Sequence, residues 1–311
     1  MARNDVAEAY VDLRPLLFSI AYRMLASVTE ADDVVQETFV RYQQALTAGT
    51  QVMSPKAWLS AVVTRLSIDH LRSARVRREA YVGEWLPEPL VTDRGTGDPA
   101  EVAERAESLS MSFLVLLERL TPVERAVFLL HDVFAYEFAE IGQIVGRAPA
   151  TCRQHAVRAR RFIAENRPRF DASDAQRDEL VGRFFAAAGR GDMDGLIELL
   201  ADDAAVHGDG GGKVPQWYAP IVGADKVARL FAQMGRQMRG TGVSFETHQI
   251  NGQPGAVFRG PHGGVFSVMS VEVVGGRIAT IRSVVNPEKL GHFGRIESLR
   301  DVLDGVSRTR S

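Results

Sequence analysis

The stretch of sequence that decides the fold is Asp32-Asp33-Val34-Val35-Gln36-Glu37-Thr38-Phe39-Val40-Arg41. Its apolar residues recur at the spacing of one helix face, which predicts an amphipathic helix with Val34, Val35, Phe39 and Val40 on that face. Its polar residues form the opposite face, namely Asp32, Asp33, Gln36, Glu37 and Arg41. Taken alone, the pattern is as typical of a solvated acidic surface as of a docking surface, so the flanking sequence has to decide.

Helical patterns surround this run and predict an all-α domain over residues 6–80. Pro55 is suited to the first turn of a long helix over about 55–79. That helix carries a basic patch, in which Asp69 alone stands against Arg65, Arg72, Arg75, Arg77 and Arg78. A second basic patch follows over residues 147–169. Two basic patches on an otherwise acidic chain indicate two contacts with a polyanion, and nucleic acid is the obvious candidate.

Residues 81–107 are predicted to be a linker, because glycine and proline interrupt the helical pattern there. Within it lies the apolar group Trp85-Leu86-Pro87-Glu88-Pro89-Leu90 on a stiff, non-helical backbone. A large apolar side chain left in water forfeits about 2–3 kcal/mol of burial energy. We therefore expect the tryptophan to be docked and the linker to be partly ordered.

Residues 108–168 again have a helical pattern, with a helix start at Thr121-Pro122-Val123-Glu124 that matches a capping box. A short helix over 138–145 ends at Gly146, and Pro149 begins a basic helix that reaches about residue 165. A helix, a short turn with glycine and a basic helix are the pattern of a helix-turn-helix.

Residues 176–290 are different in character, with helices near 176–189, 193–200 and 223–238 and strands near 203–208, 243–248, 256–259, 265–274 and 278–285. Alternating side chains separated by glycine-containing turns predict a curved antiparallel sheet, and hence an α+β domain. The segment holds 12 basic and 12 acidic residues, so its charge does not indicate nucleic-acid binding. The remaining residues, 291–311, are predicted to be a C-terminal tail.

The composition of the 311 residues, with 45% hydrophobic residues and a net charge of −2, is ample for packed cores. The single cysteine, Cys152, allows no intrachain disulfide and suggests no zinc site. We see neither an apolar run of membrane-spanning length nor a signal peptide. The sequence therefore predicts a cytoplasmic protein that contacts no membrane and has no cofactor and no metal site.

The two helical segments resemble regions two and four of bacterial sigma factors of the extracytoplasmic-function group. The residues that carry the resemblance are the Asp32 run, Ala57-Trp58-Leu59, Asp69-His70-Leu71-Arg72, residues 120–130 and Phe138-Ala139-Glu140-Ile141. Trp85-Leu86-Pro87-Glu88-Pro89, Asp209-Gly210-Gly211-Gly212-Lys213 and Asn286-Pro287-Glu288-Lys289-Leu290 resemble three signatures of the sigma-J-like subgroup. The resemblance implies a multidomain fold: two all-α sigma domains, the second with the helix-turn-helix, then a SnoaL-like cone of the NTF2-like fold.

The resemblance also implies roles for residues. The polar face Asp32, Asp33, Gln36, Glu37 and Arg41 would bind core RNA polymerase, which is contacted through its β′ clamp helices and its β subunit. The −10 promoter element would be bound by Arg65, Arg72, Arg75, Arg77 and Arg78. The −35 element would be read from the helix at Pro149, by Arg153, Gln154, Val157, Arg158 and Arg161. In that helix we expect Cys152, Ala156 and Ala159 to face the core.

The three subgroup signatures lead to a hypothesis about control. The linker motif is apolar, and the glycines of the 209–213 motif allow close approach of another backbone. We expect the three motifs to meet at one interface. Their members are Trp85, Leu86, Pro87, Glu88, Pro89, Asp209, Gly210, Gly211, Gly212, Lys213, Asn286, Pro287, Glu288, Lys289 and Leu290. The C-terminal domain would then regulate the sigma domains in cis.

Two other classes of function stay open on the sequence alone. One is a helix-turn-helix regulator whose C-terminal cavity senses an unknown small ligand. The other is a DNA-binding module fused to a SnoaL-like enzyme, for which His207, Asp209, Glu246 and His248 are the acid and base candidates. No specific spacing marks those four residues, so we expect no enzyme activity and assign no catalytic residue.

Overall fold

The computed structural model describes residues 2–79, 81–92, 106–166 and 174–302, and among these the side chains of all but 2–5, 74–79 and 174. The chain divides into two compact units. The first contains Met1–Ala80 and Phe113–Arg167, and the second contains Tyr81–Ser112 and Pro168–Ser311. The linker therefore belongs to the same unit as the C-terminal domain, which agrees with the expectation that it is docked.

The described elements of the first unit are all helices, joined by short turns and loops. Its elements in chain order are α1 (Ala2–Leu25), α2 (Val28–Thr47), α3 (Pro55–Glu79), α4 (Met111–Leu117), α5 (Pro122–Phe128), a π-helical turn (Leu129–Val133), α6 (Phe138–Val145) and α7 (Pro149–Asn166). The core combines residues from both parts of the chain, including Leu17, Val35, Leu59, Leu114 and Leu129, all fully buried.

Local sequence signals set the ends of these helices. Ser27 accepts a hydrogen bond from the Glu30 amide and so caps α2. The predicted capping box at Thr121 and Glu124 is present at the start of α5. Gly146 ends α6 in the left-handed region at φ 66°, where a glycine carries no steric cost. These three signals are readable from the sequence because they depend on neighbouring residues only.

The second unit is α+β. Its helices are α8 (Asp174–Arg190), α9 (Met193–Leu199) and α10 (Ala224–Met238), and its strands are β1 (Val91–Thr92), β2 (Leu200–Asp209), β3 (Ile221–Val222), β4 (Ser244–Ile250), β5 (Gln253–Arg259), β6 (Val265–Val274) and β7 (Arg277–Val284). They form one sheet in the order β1-β4-β5-β6-β7-β2-β3. Irregular register in the β2–β7, β5–β6 and β6–β7 pairs is consistent with the bending of the sheet.

This architecture confirms the predicted fold class, with two differences of detail. The β2–β7 pair is parallel, so the sheet is not entirely antiparallel. In addition, linker residues Val91 and Thr92 pair with Ile250 and Gln249, which makes the linker an edge strand of the sheet. A two-residue strand has too little pattern to be seen in a sequence, and its partner is supplied by tertiary contact.

Candidate functional site

The polar face of α2 is where the sequence placed it. Asp33, Gln36, Glu37 and Arg41 are exposed, and Arg41 Nε lies 2.8 Å from Glu37 Oε1 within the helix. Asp32 is half-buried and paired with Arg14 of α1 at 2.8 Å. The helix therefore presents a row of polar groups to solvent, where a partner can bind them. The two ion pairs in this row are surface pairs and contribute little to stability.

The opposite face of α2 requires one correction. Val34, Val35 and Phe39 are buried as expected, together with Thr38, but Val40 is 48% exposed. The buried face is centred near Val35 and Thr38. Because each residue of an α-helix is rotated by about 100° from the last, Val40 lies on nearly the opposite side of the helix. Val40 thus lies within the polar face and adds an apolar group to it.

The −10 candidates on α3 differ in what they contact. Arg72 is exposed and reaches Asp69 of its own helix at 3.2 Å. Arg65 instead donates hydrogen bonds to two carbonyl oxygens of α6, from Nε to Ile144 at 2.8 Å and from Nη2 to Gln143 at 2.7 Å. The side chains of Arg75, Arg77 and Arg78 lie outside the described residues. Arg65 is therefore already engaged within the fold.

Helix α7 divides cleanly into a buried and an exposed face. Cys152, Ala156 and Ala159 are fully buried, as expected from their spacing. The five predicted −35 residues are all exposed, namely Arg153, Gln154, Val157, Arg158 and Arg161. An exposed row of guanidinium and amide groups on the second helix of a helix-turn-helix has the chemistry needed to contact phosphates and base edges.

Neighbouring residues orient two of these arginines. The Arg153 guanidinium lies 5.6 Å from the centre of the Phe138 ring. Arg158 Nη2 lies 3.3 Å from Glu124, the residue that completes the capping box of α5. Although partial burial opposes it, hydrogen bonds from Thr121 and the nearby Arg158 keep the pKa of Glu124 below its ordinary value. Glu124 is therefore ionised at neutral pH and holds Arg158 against the helix-turn-helix.

The three subgroup motifs converge on Asp209 at the end of β2. Its carboxylate is fully buried. It accepts hydrogen bonds from the Leu86 amide at 2.8 Å, the Gly211 amide at 3.1 Å, Lys289 Nζ at 2.7 Å and the Tyr81 hydroxyl. Burial, followed by the hydrogen bond to Asp209, raises the pKa of Tyr81, so its hydroxyl stays a donor. Two of these four donors belong to the linker.

Lys289 is the second centre of this network. Its Nζ donates to Asp209 and to the Leu86 carbonyl oxygen at 2.5 Å. The same ammonium lies 4.3 Å from the centre of the Trp85 ring and 4.9 Å from that of Tyr81. A buried ammonium between aromatic faces gains a cation–π contribution that is larger than at an exposed site. Trp85 is therefore docked, as predicted, with the Lys289 ammonium over its ring.

Two glycines of the 209–213 motif allow this close packing. Gly211 and Gly212 have φ of +59° and +69°, in the left-handed region. A Cβ on Gly211 would lie 2.3 Å from Asn286 Nδ2, and one on Gly212 would lie 2.9 Å from Val82. Asn286 in turn donates to the Tyr81 hydroxyl at 2.9 Å. We call Tyr81, Trp85, Leu86, Asp209 and Lys289, with Asn286 and Gly211, the linker anchor.

The other motif residues surround the anchor. Glu88 and Leu290 are buried, and the Pro89 carbonyl oxygen lies 2.7 Å from His292 Nε2. Lys213 pairs with Glu288 at the exposed edge of the motif. The three motifs thus lie against one another around Asp209, and Gly210, Pro87 and Pro287 are parts of the same segments.

Sequence reasoning missed several contacts of the linker. Tyr81 was not singled out, and Glu84 Oε1 lies 2.6 Å from His207 Nδ1. The side chain of Asn251 accepts from the Leu90 amide at 2.9 Å and donates to the Leu109 carbonyl oxygen at 3.0 Å. Asn251-Gly252 is a recognisable hairpin dipeptide. Nothing in the sequence, however, indicates that this turn binds a segment 142 to 161 residues away.

The four acid and base candidates do not gather at one site. Asp209 is saturated with hydrogen bonds and His207 is paired with Glu84. Glu246 and His248 form a pair of their own on β4, at 3.4 Å. A separate apolar cavity of about 250 Å³ lies between α8, α10 and the sheet, lined by Phe185, Phe231, Met234, Phe245, Phe258 and Met269. Its lining contains Arg239 as its one charged side chain.

Within residues 2–79, 81–92, 106–166 and 174–302, no three His, Cys, Asp or Glu side chains are grouped so as to hold a metal ion. Over the same residues, no helix combines the length and the apolar character that crossing a membrane requires.

Comparison with known families agrees with this arrangement. Residues 9–77 match Sigma-70 region 2, residues 110–163 match Sigma-70 region 4 and residues 181–282 match the SnoaL-like domain. The fold and these matches define a multidomain RNA polymerase sigma factor with a fused SnoaL-like domain.

More particularly, the chain belongs to the extracytoplasmic-function (ECF) RNA polymerase sigma factors, whose members bind core RNA polymerase and direct initiation at specific promoters. It is 38% identical over 287 residues to the ECF RNA polymerase sigma factor SigJ of Mycobacterium tuberculosis, covering 89% of this chain and 90% of that one. The probable ECF sigma factor SigI of the same organism is 31% identical, covering 93% and 97%. The crystal structure of M. tuberculosis SigJ matches with a TM-score of 0.71 and 33% identity, covering 91% of this chain and 98% of that one. The resemblance stated from the sequence is confirmed.

Proposed function

We propose that the SnoaL-like domain controls this sigma factor in cis by holding the linker that joins the two sigma regions. The observation that carries the proposal is the bonding of Asp209. This buried carboxylate of the C-terminal domain binds the hydroxyl of Tyr81 and the amide of Leu86, both in the linker. A surface loop that merely turned the chain would not need a buried charge to do so.

The length of the linker explains why holding it matters. At about 3.3 Å per extended residue, the segment Tyr81–Ser112 would span on the order of 100 Å. The anchor, the β1–β4 pairing and the bonds of Asn251 fix residues at both ends of that segment. Docking therefore removes most of the reach that the linker would otherwise give to sigma regions 2 and 4.

The residue roles form part of the same proposal. Core RNA polymerase is bound by the exposed face of α2, with Asp32, Asp33, Gln36, Glu37 and Arg41. The −10 element is bound by α3 and the −35 element by the exposed side chains of α7. Region 2 occupies residues 6–80, region 4 occupies 108–168 and the regulatory domain occupies 176–290, and the protein acts in the cytoplasm with RNA polymerase.

The test is transcription in vitro with core RNA polymerase and a promoter that the wild-type chain uses. Tyr81→Phe removes the hydroxyl that Asp209 and Asn286 bind, and Trp85→Ala removes one of the rings that enclose Lys289. Both variants are expected to change promoter-dependent transcription by several fold, and the sign shows whether docking represses or activates. Tyr218→Phe is the matched control, because Tyr218 is 80% exposed.

Suppose that the Tyr81→Phe and Trp85→Ala variants give the same promoter-dependent transcription as the wild type and the Tyr218→Phe control. In that case the linker contact has no regulatory role and the proposal is wrong. Circular dichroism of each variant checks that it is folded, so that a loss of fold is not mistaken for regulation.

A second candidate function is sensing of a small apolar ligand by the cavity near Phe245. A volume of about 250 Å³ lined by aromatic and methionine side chains fits an apolar molecule. We propose binding without turnover, since the acid and base candidates are engaged elsewhere. The probe is 8-anilinonaphthalene-1-sulfonate, an amphipathic dye with an apolar aromatic body. Its thermal stabilisation of the wild type, abolished by Met269→Trp, would support the proposal, and equal stabilisation of both would contradict it.

A further inference from the structure

A second cavity of the C-terminal unit lies beside the linker anchor, and its lining differs from that of the apolar cavity described above. Its volume is about 360 Å³. One wall is formed by the linker residues Val82 and Gly83. The facing wall is formed by Gly208 and by the loop that follows β2, including Trp217, and Arg300 also lines the cavity. A molecule in this cavity would therefore contact both the linker and the domain that holds it.

Two hydrogen-bond donors of this cavity lie together at the end of β2. Trp217 Nε1 is buried and has no hydrogen-bond partner among the described residues. A Cβ on Gly208 would lie 2.7 Å from this indole nitrogen and 2.6 Å from Gln216 Nε2, so both nitrogens lie against the same glycine. An indole N–H can only donate, and a buried donor without an acceptor costs free energy. The cavity thus lacks a hydrogen-bond acceptor at this point.

The charged side chains that line the cavity are positive. Arg300 is exposed and forms no salt bridge with a carboxylate of the described residues. Lys213 is the second cation, and its pair with Glu288 is an exposed one that contributes little. No Asp or Glu is among the described residues of the lining. The cavity therefore favours a negatively charged occupant.

The carboxylates that flank the cavity along the chain already have partners. Asp209 is bonded to Lys289. Glu84, next to the linker wall, lies 2.6 Å from His207. Neither carboxylate is paired with Arg300, so its charge remains available to a ligand.

We propose that this cavity, which we call the loop–linker site, binds a small organic anion and thereby stabilises the docked linker. The ligand is a carboxylate or a phosphate carried by an aromatic or apolar body. Arg300 supplies the charge, Gln216 and Trp217 supply the donors, and Val82 supplies an apolar wall. An effect of this ligand on transcription rests on the control through the linker proposed above, but its binding does not.

Thermodynamic linkage is the reason why a ligand here acts on the linker. Val82 and Gly83 lie between Tyr81 and Glu84, both of which are bonded to the C-terminal domain. When the linker leaves the domain, these two residues leave with it, and the cavity loses one wall. A ligand that binds only the docked form shifts the equilibrium towards that form by the factor 1 + [L]/Kd.

The first measurement is binding of para-trifluoromethylbenzoate to the full chain, followed by the fluorine NMR signal of this probe. The corresponding benzamide has the same body without the charge, and phenyl phosphate, added in competition, tests a phosphate in place of the carboxylate. Arg300→Gln is compared with Arg295→Gln, which removes an exposed arginine of the same segment that does not line the cavity. Met269→Trp fills the apolar cavity near Phe245 and shows whether the probe binds there instead.

The benzoate is expected to bind the wild type, Arg295→Gln and Met269→Trp equally. It should bind Arg300→Gln at least about ten-fold more weakly, as for the loss of a charged hydrogen bond, and the benzamide should not bind measurably. The acid that binds more tightly identifies the anion. The site is ruled out by equal affinities of the two arginine variants or of benzoate and benzamide. Loss of binding in Met269→Trp alone, or no binding of either acid up to about 10 mM, rules it out as well.

The second measurement is hydrogen–deuterium exchange of the linker peptide 81–90, in which the Leu86 amide donates to Asp209. With the probe at about ten times its Kd, exchange of this peptide is expected to slow by about ten-fold, whereas a peptide of α6 in the first unit is unchanged. Binding without this slowing would contradict the coupling to the linker. Because neither measurement involves transcription, failure of this proposal is distinct from failure of the proposed control in cis.

Discussion

The exposed face of α7 and the linker anchor both depend on charged side chains, but they use them in opposite ways. Arg153, Arg158 and Arg161 are exposed and held by weak surface contacts. Asp209 and Lys289 are buried, and the polar atoms of both are bonded inside the domain. Charges on the first surface remain available to a partner outside the chain. Charges of the second hold the chain's own linker, so the two sites should respond differently to mutation.

The largest expected effect is at Asp209. Asp209→Ala leaves the Lys289 ammonium buried without its counter-ion, and breaking such a pair costs about 3–5 kcal/mol of unfolding free energy. Urea unfolding of the second unit, followed by tryptophan fluorescence, measures this loss. Lys213→Gln, which breaks the exposed pair with Glu288, is the control and should cost less than about 1 kcal/mol. Equal losses in the two variants would mean that the anchor behaves as a surface pair.

A smaller effect is expected at Gly211. Gly211→Ala adds a Cβ both to a left-handed backbone and to space occupied by the Asn286 amide, with an expected cost of about 1–3 kcal/mol. Gly275→Ala is the matched control in the same unit, since Gly275 has φ of +57° but no atom within 4 Å of the added Cβ. Thermal unfolding should therefore separate the clash from the backbone strain. Identical melting temperatures would show that the anchor does not need the close approach.

The smallest effect on stability is expected on the exposed face of α7. Arg161→Gln removes an exposed surface pair with Glu165 and should leave the midpoint of urea unfolding unchanged. Its effect appears in binding instead. The slope of log affinity for a −35 duplex against log salt concentration should fall by about 1, as for the loss of one phosphate contact. An unchanged slope would place Arg161 away from the DNA.

Local sequence signals predicted most of the fold. The capping box at Thr121, the turn at Gly146 and the buried face of α7 depend on neighbouring residues, and each is present. The prediction placed Val40 on the buried face, which is wrong, because the centre of that face is set by the packing of the helix. It did not include the parallel β2–β7 pair, because that pair depends on which strands meet in the sheet.

The candidate sites were predictable to different degrees for the same reason. Residues proposed to bind outside partners can be listed from residue type and spacing, as for Arg153 and its neighbours. The contact of Asn251 with Leu90 and the use of Arg65 as a helix cap join segments 161 and 78 to 79 residues apart. No periodicity in a single sequence encodes such a pairing. The motifs at Trp85, Asp209 and Asn286 were an exception, since the family resemblance marked them as related before any contact was known.

The edge strand β1 has a mechanical consequence. Any force that separates the two helical regions reaches the sheet through the covalent ends of the linker, at Tyr81 on one side and Leu109 on the other. A pull at Tyr81 loads the bond to Asp209 first, and a pull at Leu109 loads the bond to Asn251 first. A linker held at separate points along its length can therefore be released one bond at a time, beginning at the end that is pulled.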